Sequence, residues 1–296
     1  MQSTCTADCL VVGAGPAGLT AALYLRRFLR NVVVADHGHS RAMAIERSHN
    51  YPAFPQGISG HDLLRRLREQ LAGVQGMVTA AEVTTLQRHP QGGFTAQCGG
   101  LTMLSRTVLL ATGVVDAVPA LPGIEQVQQR GLLRQCPICD GYEYRGQRIV
   151  VLGDGRHAAR EAAFIAHYSP HVAHAGLHHA PAQAQPNVRA LPALAARAGL
   201  APDGGVRVGL ADGSTHDFDV AYAALCAQPR SQLGRALGAE VHAQGNLVID
   251  AHGATCVHGL YAAGDVVSGL DQMAVAAGQG AVAATAIHNL LCIATA

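Results

Sequence analysis

A glycine turn between a buried strand and a helix occurs twice in this chain, and the repeat leaves few folds open to it. In the first copy, residues 10–12 (Leu-Val-Val) read as a strand and Gly13-Ala14-Gly15-Pro16-Ala17-Gly18 as the turn and helix start. Residues 19–30 then show helical spacing, with apolar side chains at Leu19, Ala22, Leu23, Leu25, Phe28 and Leu29. Asn31 ends that helix, and 32–36 (Val-Val-Val-Ala-Asp) read as a second apolar strand. The second copy runs from a strand at 148–152 through Gly153-Asp154-Gly155-Arg156-His157-Ala158 into helical spacing as far as His167. A strand apolar on both faces, then a helix, then another such strand, belongs in a parallel sheet covered on both sides. The chain therefore reads as α/β, and 296 residues are enough for two domains that each bury a core.

The turns carry chemistry as well as shape. Gly13, Gly15 and Gly18 let backbone N–H groups approach a pyrophosphate, and the helix N-terminus adds the positive end of its dipole. Asp36 closes the next strand about 20 residues on, where a carboxylate can accept hydrogen bonds from an adenosine ribose. Strand, turn, helix and acid together predict a bound dinucleotide. Gly153, Gly155 and Ala158 repeat the spacing, so a second nucleotide is a candidate there. The plainer reading is a structural turn, because Asp154 and Arg156 stand inside it. Near the C-terminus, Tyr261-Ala262-Ala263-Gly264-Asp265 ends a predicted strand at 259–262. Asp265 is either a cofactor ligand or an ordinary turn aspartate.

Of eight cysteines, only Cys136 and Cys139 have Cys-x-x-Cys spacing, within Cys136-Pro137-Ile138-Cys139-Asp140-Gly141. Two thiols so spaced can close a disulfide with little backbone movement, and one of such a pair often has a lowered pKa and acts as a nucleophile. Chance adjacency and a zinc site remain as alternatives. Zinc would need further ligands, and the histidines at 171, 174, 178 and 179 fall on another predicted element. No metal is expected. The other six cysteines read as inert core thiols.

Charged residues make up 14% of the chain, the formal net charge is +1, and no basic run occurs. Nucleic acid and anionic membrane surfaces thus have no electrostatic support as partners. No apolar run reaches the ~18–20 residues of a bilayer span, and no basic region precedes an apolar stretch at the N-terminus, so a cytoplasmic protein is expected. Elsewhere the pattern predicts a loop over 39–60, a helix over 61–71, short strands over 76–110, a strand over 247–250 and a helix over about 272–291.

In order and spacing these motifs resemble the low-molecular-weight thioredoxin reductases: glycine turn, Cys-x-x-Cys-Asp-Gly, second glycine turn, then a late Gly-Asp followed by a helix opening on Gln272. The likeness spans nearly the whole chain. It implies two Rossmann-like FAD/NAD(P)-binding domains, the second inserted in the first. An FAD domain would comprise 1–117 and 243–296, and an NAD(P)-binding-like domain carrying the dithiol would comprise 118–242. It further implies FAD at Gly13, Gly15, Pro16, Ala17, Gly18, Asp36, Asn50, Gly113, Gly264, Asp265, Gln272, Met273 and Ala274. Cys139 would face the flavin, Cys136 would exchange with the partner, and Asp140 would be the acid/base group. Electrons would pass between FAD, the cysteine pair and a thioredoxin-like protein or a small disulfide or dithiol, in a homodimer.

Two departures bear on the electron donor. Family members carry His-Arg-Arg after the second strand of the nucleotide domain, arginines suited to the 2′-phosphate of NADPH. This chain has Gly176-Leu177-His178 there, with no arginine between Arg160 and Arg189, and Asp271 stands where an arginine commonly precedes Gln272. NAD(P)H is therefore an open expectation. Cys136-Pro-Ile-Cys139-Asp-Gly-Tyr-Glu143 also resembles fungal dithiol oxidases, which pass electrons to oxygen, and ferredoxin- or flavodoxin-linked relatives offer a further alternative.

Overall fold

The structure, a computed structural model, describes residues 4–181 and 186–293. The chain divides into two units, Met1–Val115 with Gln228–Ala296, and Asp116–Ala227.

The first unit is built on a seven-stranded sheet. Thr4–Val12 lies at its centre, parallel to Val32–Asp36 on one side and to Leu101–Leu110 on the other. Val78–Ala80 extends one edge, and Leu260–Ala262 also pairs parallel with Leu101–Leu110. Phe94–Cys98 and Val83–Arg88 add an antiparallel flank. Alternation along the central strand explains its apolar run. Cys9 and Val11 enter one core with Leu19, Leu25 and Ile287, while Leu10 and Val12 enter the other with Phe94, Val108 and Leu260. With neighbours on both sides of Thr4–Val12, the first glycine turn leaves from a point where strand order reverses, the place ligands occupy in open α/β sheets.

Helix Pro16–Arg27 packs on the sheet and against Met273–Ile293. Their approach is close enough that a Cβ at Gly280 would stand 2.3 Å from the Ala17 carbonyl oxygen. Met273–Ile293 corrects one expectation, because its 21 residues are long and apolar enough to cross a bilayer. Its many alanines raise hydropathy without large side chains. Ala276, Gly280, Ala283, Ala284, Ile287 and Leu291 are buried within the unit.

The second unit has a five-stranded parallel sheet in the order Val188–Ala190, Val172–Ala175, Ile149–Leu152, Val220–Ala223, Leu133–Arg134. A three-stranded antiparallel sheet, Ala195–Leu200, Val206–Leu210 and Thr215–Phe218, covers it and shares its core. Helix Gly155–Ile165 follows the second glycine turn and buries Ala158, Ala162 and Ile165.

The return to the first unit comes at 227/228, earlier than the 242/243 expected. Gln228–Pro229 pairs antiparallel with Val114–Val115, and Ala239 joins the first unit's core. Short pairings of two residues leave no periodicity to read. For the same reason 247–250 is not a strand: Leu247 makes only isolated bridges, to Val241 and Val267. Burial of the free cysteines also differs from expectation. Cys9 and Cys98 are core thiols, and burial pushes the Cys9 pKa up to about 12, but Cys5, Cys226, Cys256 and Cys292 are exposed.

Candidate dinucleotide and redox sites

At the first turn, Gly13 N–H donates to the Ala35 carbonyl (2.8 Å), tying the turn to the end of Val32–Asp36. Gly13 has φ +104°, and a Cβ there would stand 2.3 Å from the Ala111 carbonyl oxygen. A Cβ at Gly18 would lie 1.9 Å from the Gly13 carbonyl oxygen. Both glycines are thus required by the backbone itself. Helix Pro16–Arg27 opens at Gly15 with no side-chain cap and with Pro16 at its start, leaving its N-terminus to be satisfied from outside. Asp36 is buried, and its Oδ1 accepts a hydrogen bond from Ala14 N–H (3.1 Å) while Oδ2 meets Arg68 at 3.4 Å. An uncapped helix end, a turn kept open at Gly13, Gly15 and Gly18 and a carboxylate beside it form a site that fits a dinucleotide pyrophosphate and ribose.

The other expected cofactor residues gather in the same unit. Asn50 Nδ2 donates to Gln272 Oε1 (2.9 Å), and Ser48 Oγ donates to Asn50 Oδ1 (2.7 Å). Asp265 pairs with Arg41 at 2.8 Å, and Arg41 also reaches Asp271 at 3.3 Å. Gly264, at φ +81°, donates its N–H to Gln279 Oε1 (2.8 Å). Gly113, at φ +66°, accepts from Arg230 N–H, and Met273 and Ala274 begin the last helix. Arg41, Ser48, Arg68 and Gln279 were not singled out from sequence. Arg41 lies in a stretch read as loop, where the chain forms the short 3-10 helix Arg41–Ala44.

In the second unit Cys136 and Cys139 are joined as a disulfide with Cα atoms 5.4 Å apart. Cys136 caps the short helix Pro137–Asp140, and its carbonyl accepts Cys139 N–H at 3.0 Å. Among the described residues no three His, Cys, Asp or Glu side chains come together as metal ligands.

Asp140 next to the disulfide is buried and held from both sides. Arg134 Nε donates to its Oδ2 at 2.5 Å, and the Tyr222 hydroxyl donates to its Oδ1 at 2.6 Å. Arg134 and Tyr222 are register partners on adjacent parallel strands, so the pleat turns both side chains to one face. Burial, and then the charge of Asp140, push the Tyr222 phenol far above its ordinary pKa, so it stays a donor. Tyr144 packs edge-on against Tyr222 (6.3 Å between centroids, 90°). No motif encodes this clamp; strand pairing alone brings it together.

At the second turn Gly153 N–H donates to the Ala175 carbonyl (3.1 Å), and Ala158 packs beneath Gly153. Gly155 has φ +66°. Asp154 Oδ1 accepts N–H groups from Leu177 (2.9 Å), His178 and His179 (both 3.1 Å), and Oδ2 meets His178 Nδ1 at 2.8 Å. Burial alone would raise this carboxyl, but the His178 ring and the backbone donors outweigh it and hold the pKa at about 2. Further along the helix, burial pushes Glu161 up to about 7, and its Oε2 is buried without a hydrogen-bond partner.

With this geometry established, comparison with known proteins places the chain in a class of flavoenzyme-type oxidoreductases. Residues 7–280 match the family model for pyridine nucleotide-disulphide oxidoreductases, and the chain belongs to that family. The thioredoxin reductase of Aquifex aeolicus (strain VF5) is 32% identical over 169 residues, 55% of this chain and 50% of that one. The chain spans about half the length of the relatives it matches in this way. Among solved structures, HlmI aligns with TM-score 0.88 at 29% identity, covering 97% of this chain and 93% of that one. Thioredoxin reductase from Streptococcus pyogenes MGAS5005 also reaches TM-score 0.88, at 25% identity, covering 98% and 100%. Family membership implies FAD as cofactor, which the first turn fits, and a pyridine nucleotide as a second group.

Proposed function

We propose that the chain is an FAD-dependent dithiol–disulfide oxidoreductase of the thioredoxin reductase type, working through Cys136 and Cys139. The observation that carries the reading is the disulfide between these residues with the clamped Asp140 directly after it.

The first turn, through Gly13, Gly15, Pro16, Ala17 and Gly18, would hold the FAD pyrophosphate, with Asp36 on the adenosine ribose. Asp265 suits the cofactor's polyol, with Arg41 steering it. Asn50, Gln272, Gly113, Gly264, Met273 and Ala274 complete the lining. Bound FAD supplies two-electron chemistry to the cysteine pair.

The remaining steps belong to the thiols. In the reductive direction, the Cys136 thiolate attacks a partner disulfide and expels one partner sulfur as thiolate. Cys139 then attacks Cys136 in the mixed disulfide, releasing the second partner thiolate and leaving Cys136–Cys139 oxidised. Asp140 exchanges the proton of the Cys139 thiol, and Arg134 and Tyr222 fix its carboxylate in place. Run in reverse, the same steps oxidise a dithiol. The partner is a thioredoxin-like protein or a small disulfide or dithiol, and the working form is a cytoplasmic homodimer.

A second reading, an oxidase or a carrier-linked enzyme in place of an NADPH-linked one, is favoured by the second turn. Gly176-Leu177-His178 stands where the family resemblance implies His-Arg-Arg. Anaerobic mixing of the FAD-loaded protein with NADPH, NADH and dithiothreitol in turn separates the two. Bleaching of the ~450 nm band by a nicotinamide supports the reductase form. Bleaching by dithiothreitol alone, with colour returning in air, supports the oxidase form. No bleaching by any of the three would overturn the proposal.

A further inference from the structure

The two glycine turns can be laid on one another by their own hydrogen bonds. Gly13 N–H reaches the Ala35 carbonyl in the first unit, and Gly153 N–H reaches the Ala175 carbonyl in the second. Asp36 therefore corresponds to Gly176, and Ala14 to Asp154. Across this correspondence the polarity is reversed. In the first unit the second strand ends in a carboxylate that accepts from the turn's N–H. In the second unit the turn carries the carboxylate, and the loop after the second strand supplies the N–H groups.

This loop is where a dinucleotide-binding fold receives the adenosine ribose. A free 2′-hydroxyl needs an acceptor there, and a 2′-phosphate needs cationic or N–H donors. Gly176 offers no acceptor, and a Cβ on it would lie 1.9 Å from the His179 carbonyl oxygen, so no side chain can be accommodated without rearrangement. The donors that could meet a phosphate, Leu177, His178 and His179 N–H with the His178 ring, all point at Asp154. The family's pyridine nucleotide therefore does not fit the second turn as it stands.

We propose that Asp154 is an internal lock that closes the second glycine turn to a 2′-phosphorylated nicotinamide dinucleotide, its carboxylate occupying the backbone nest that the 2′-phosphate would need. A successive run of N–H groups aimed at one point is an anion site by geometry, and here the chain fills it with its own anion. An incoming phosphate would have to displace a carboxylate already satisfied on both oxygens, against like-charge repulsion. The lock refines the proposed function by fixing its electron partner, since the cysteine pair and flavin would then exchange electrons with something other than NADPH.

The test is isothermal titration of FAD-loaded protein with NADP+ and with NAD+, for the wild type, Asp154→Ala and Asp154→Asn. The wild type should not bind NADP+ at ~1 mM. Asp154→Ala should gain NADP+ affinity by at least about tenfold, the scale of one or two recovered charge-assisted hydrogen bonds, with no matching gain for NAD+. Asp154→Asn keeps an acceptor for the loop and should show a smaller gain; it carries the test if Asp154→Ala loses its FAD. Micromolar wild-type binding of NADP+ would overturn the lock. So would the absence of any gain in the variants, or equal gains for both dinucleotides. Dithiothreitol bleaching of wild-type flavin is read in parallel. Its failure counts against the dithiol chemistry and leaves the binding result to judge the lock separately.

Discussion

Tyr222→Phe isolates the contribution of one hydroxyl to the redox unit. The ring is fully buried, against Tyr144 and in the core with Ile165, so phenylalanine keeps the packing and deletes only the oxygen. What disappears is the 2.6 Å hydrogen bond to Asp140 Oδ1, leaving a buried carboxylate oxygen with less than it had. Hydrogen bonds to charged groups contribute about 1.5–3 kcal/mol, and the remaining Arg134 pair at 2.5 Å keeps the loss from the upper end. A destabilisation of about 2 kcal/mol is expected. With a urea m-value of about 1–3 kcal/mol/M, the unfolding midpoint of the second unit should fall by roughly 1 M. Far-UV circular dichroism follows unfolding of both units, and flavin absorbance in the same sample identifies the part that belongs to the first. Because Asp140 loses one of its two anchors, turnover of a disulfide substrate should fall together with stability. An unchanged midpoint and unchanged turnover would refute the clamp.

Asp36→Ala should weaken FAD retention by about tenfold or more, read as the FAD dissociation constant after gel filtration, since a buried acceptor at the ribose position is lost. Retention equal to wild type would remove Asp36 from the cofactor site. Glu161→Gln should stabilise the protein at pH 8 by up to about 2–3 kcal/mol and leave it unchanged near pH 4. Its folded-state pKa of about 7 lies above the ordinary value of about 4.3, so the carboxyl's favourable share is complete below the unfolded pKa and is lost as pH rises through 7. Denaturant unfolding at the two pH values checks this, and a constant difference between them would contradict the buried-carboxyl account.

The sequence was informative wherever structure follows from local pattern. Gly13 and Gly18 stand where a Cβ would strike backbone, so their identity and spacing carry the turn without any tertiary information. The same holds for the apolar strands on both faces of the first sheet. Asn50 and Gln272 could be named only through family resemblance, and the fold brings them within 2.9 Å across most of the chain. What stayed hidden depends on partners distant in sequence. Arg134 and Tyr222 meet Asp140 because two strands pair in register, which no spacing rule encodes. Asp154 looked like a turn residue until the loop at 177–179 closed on it. The early return at Gln228 rests on a two-residue pairing, too short to leave a period. Four thiols proved exposed because cysteine's average burial says little about a given position.

The central claim is that electrons pass between flavin and substrate through Cys136 and Cys139. It is tested most directly by anaerobic stopped-flow mixing of dithiothreitol with the FAD-loaded wild type and with Cys139→Ser, following absorbance at ~450 nm. The account predicts rapid bleaching of the wild type, and a variant that keeps its bound FAD but stays yellow over the same interval. Bleaching of Cys139→Ser at the wild-type rate would contradict it.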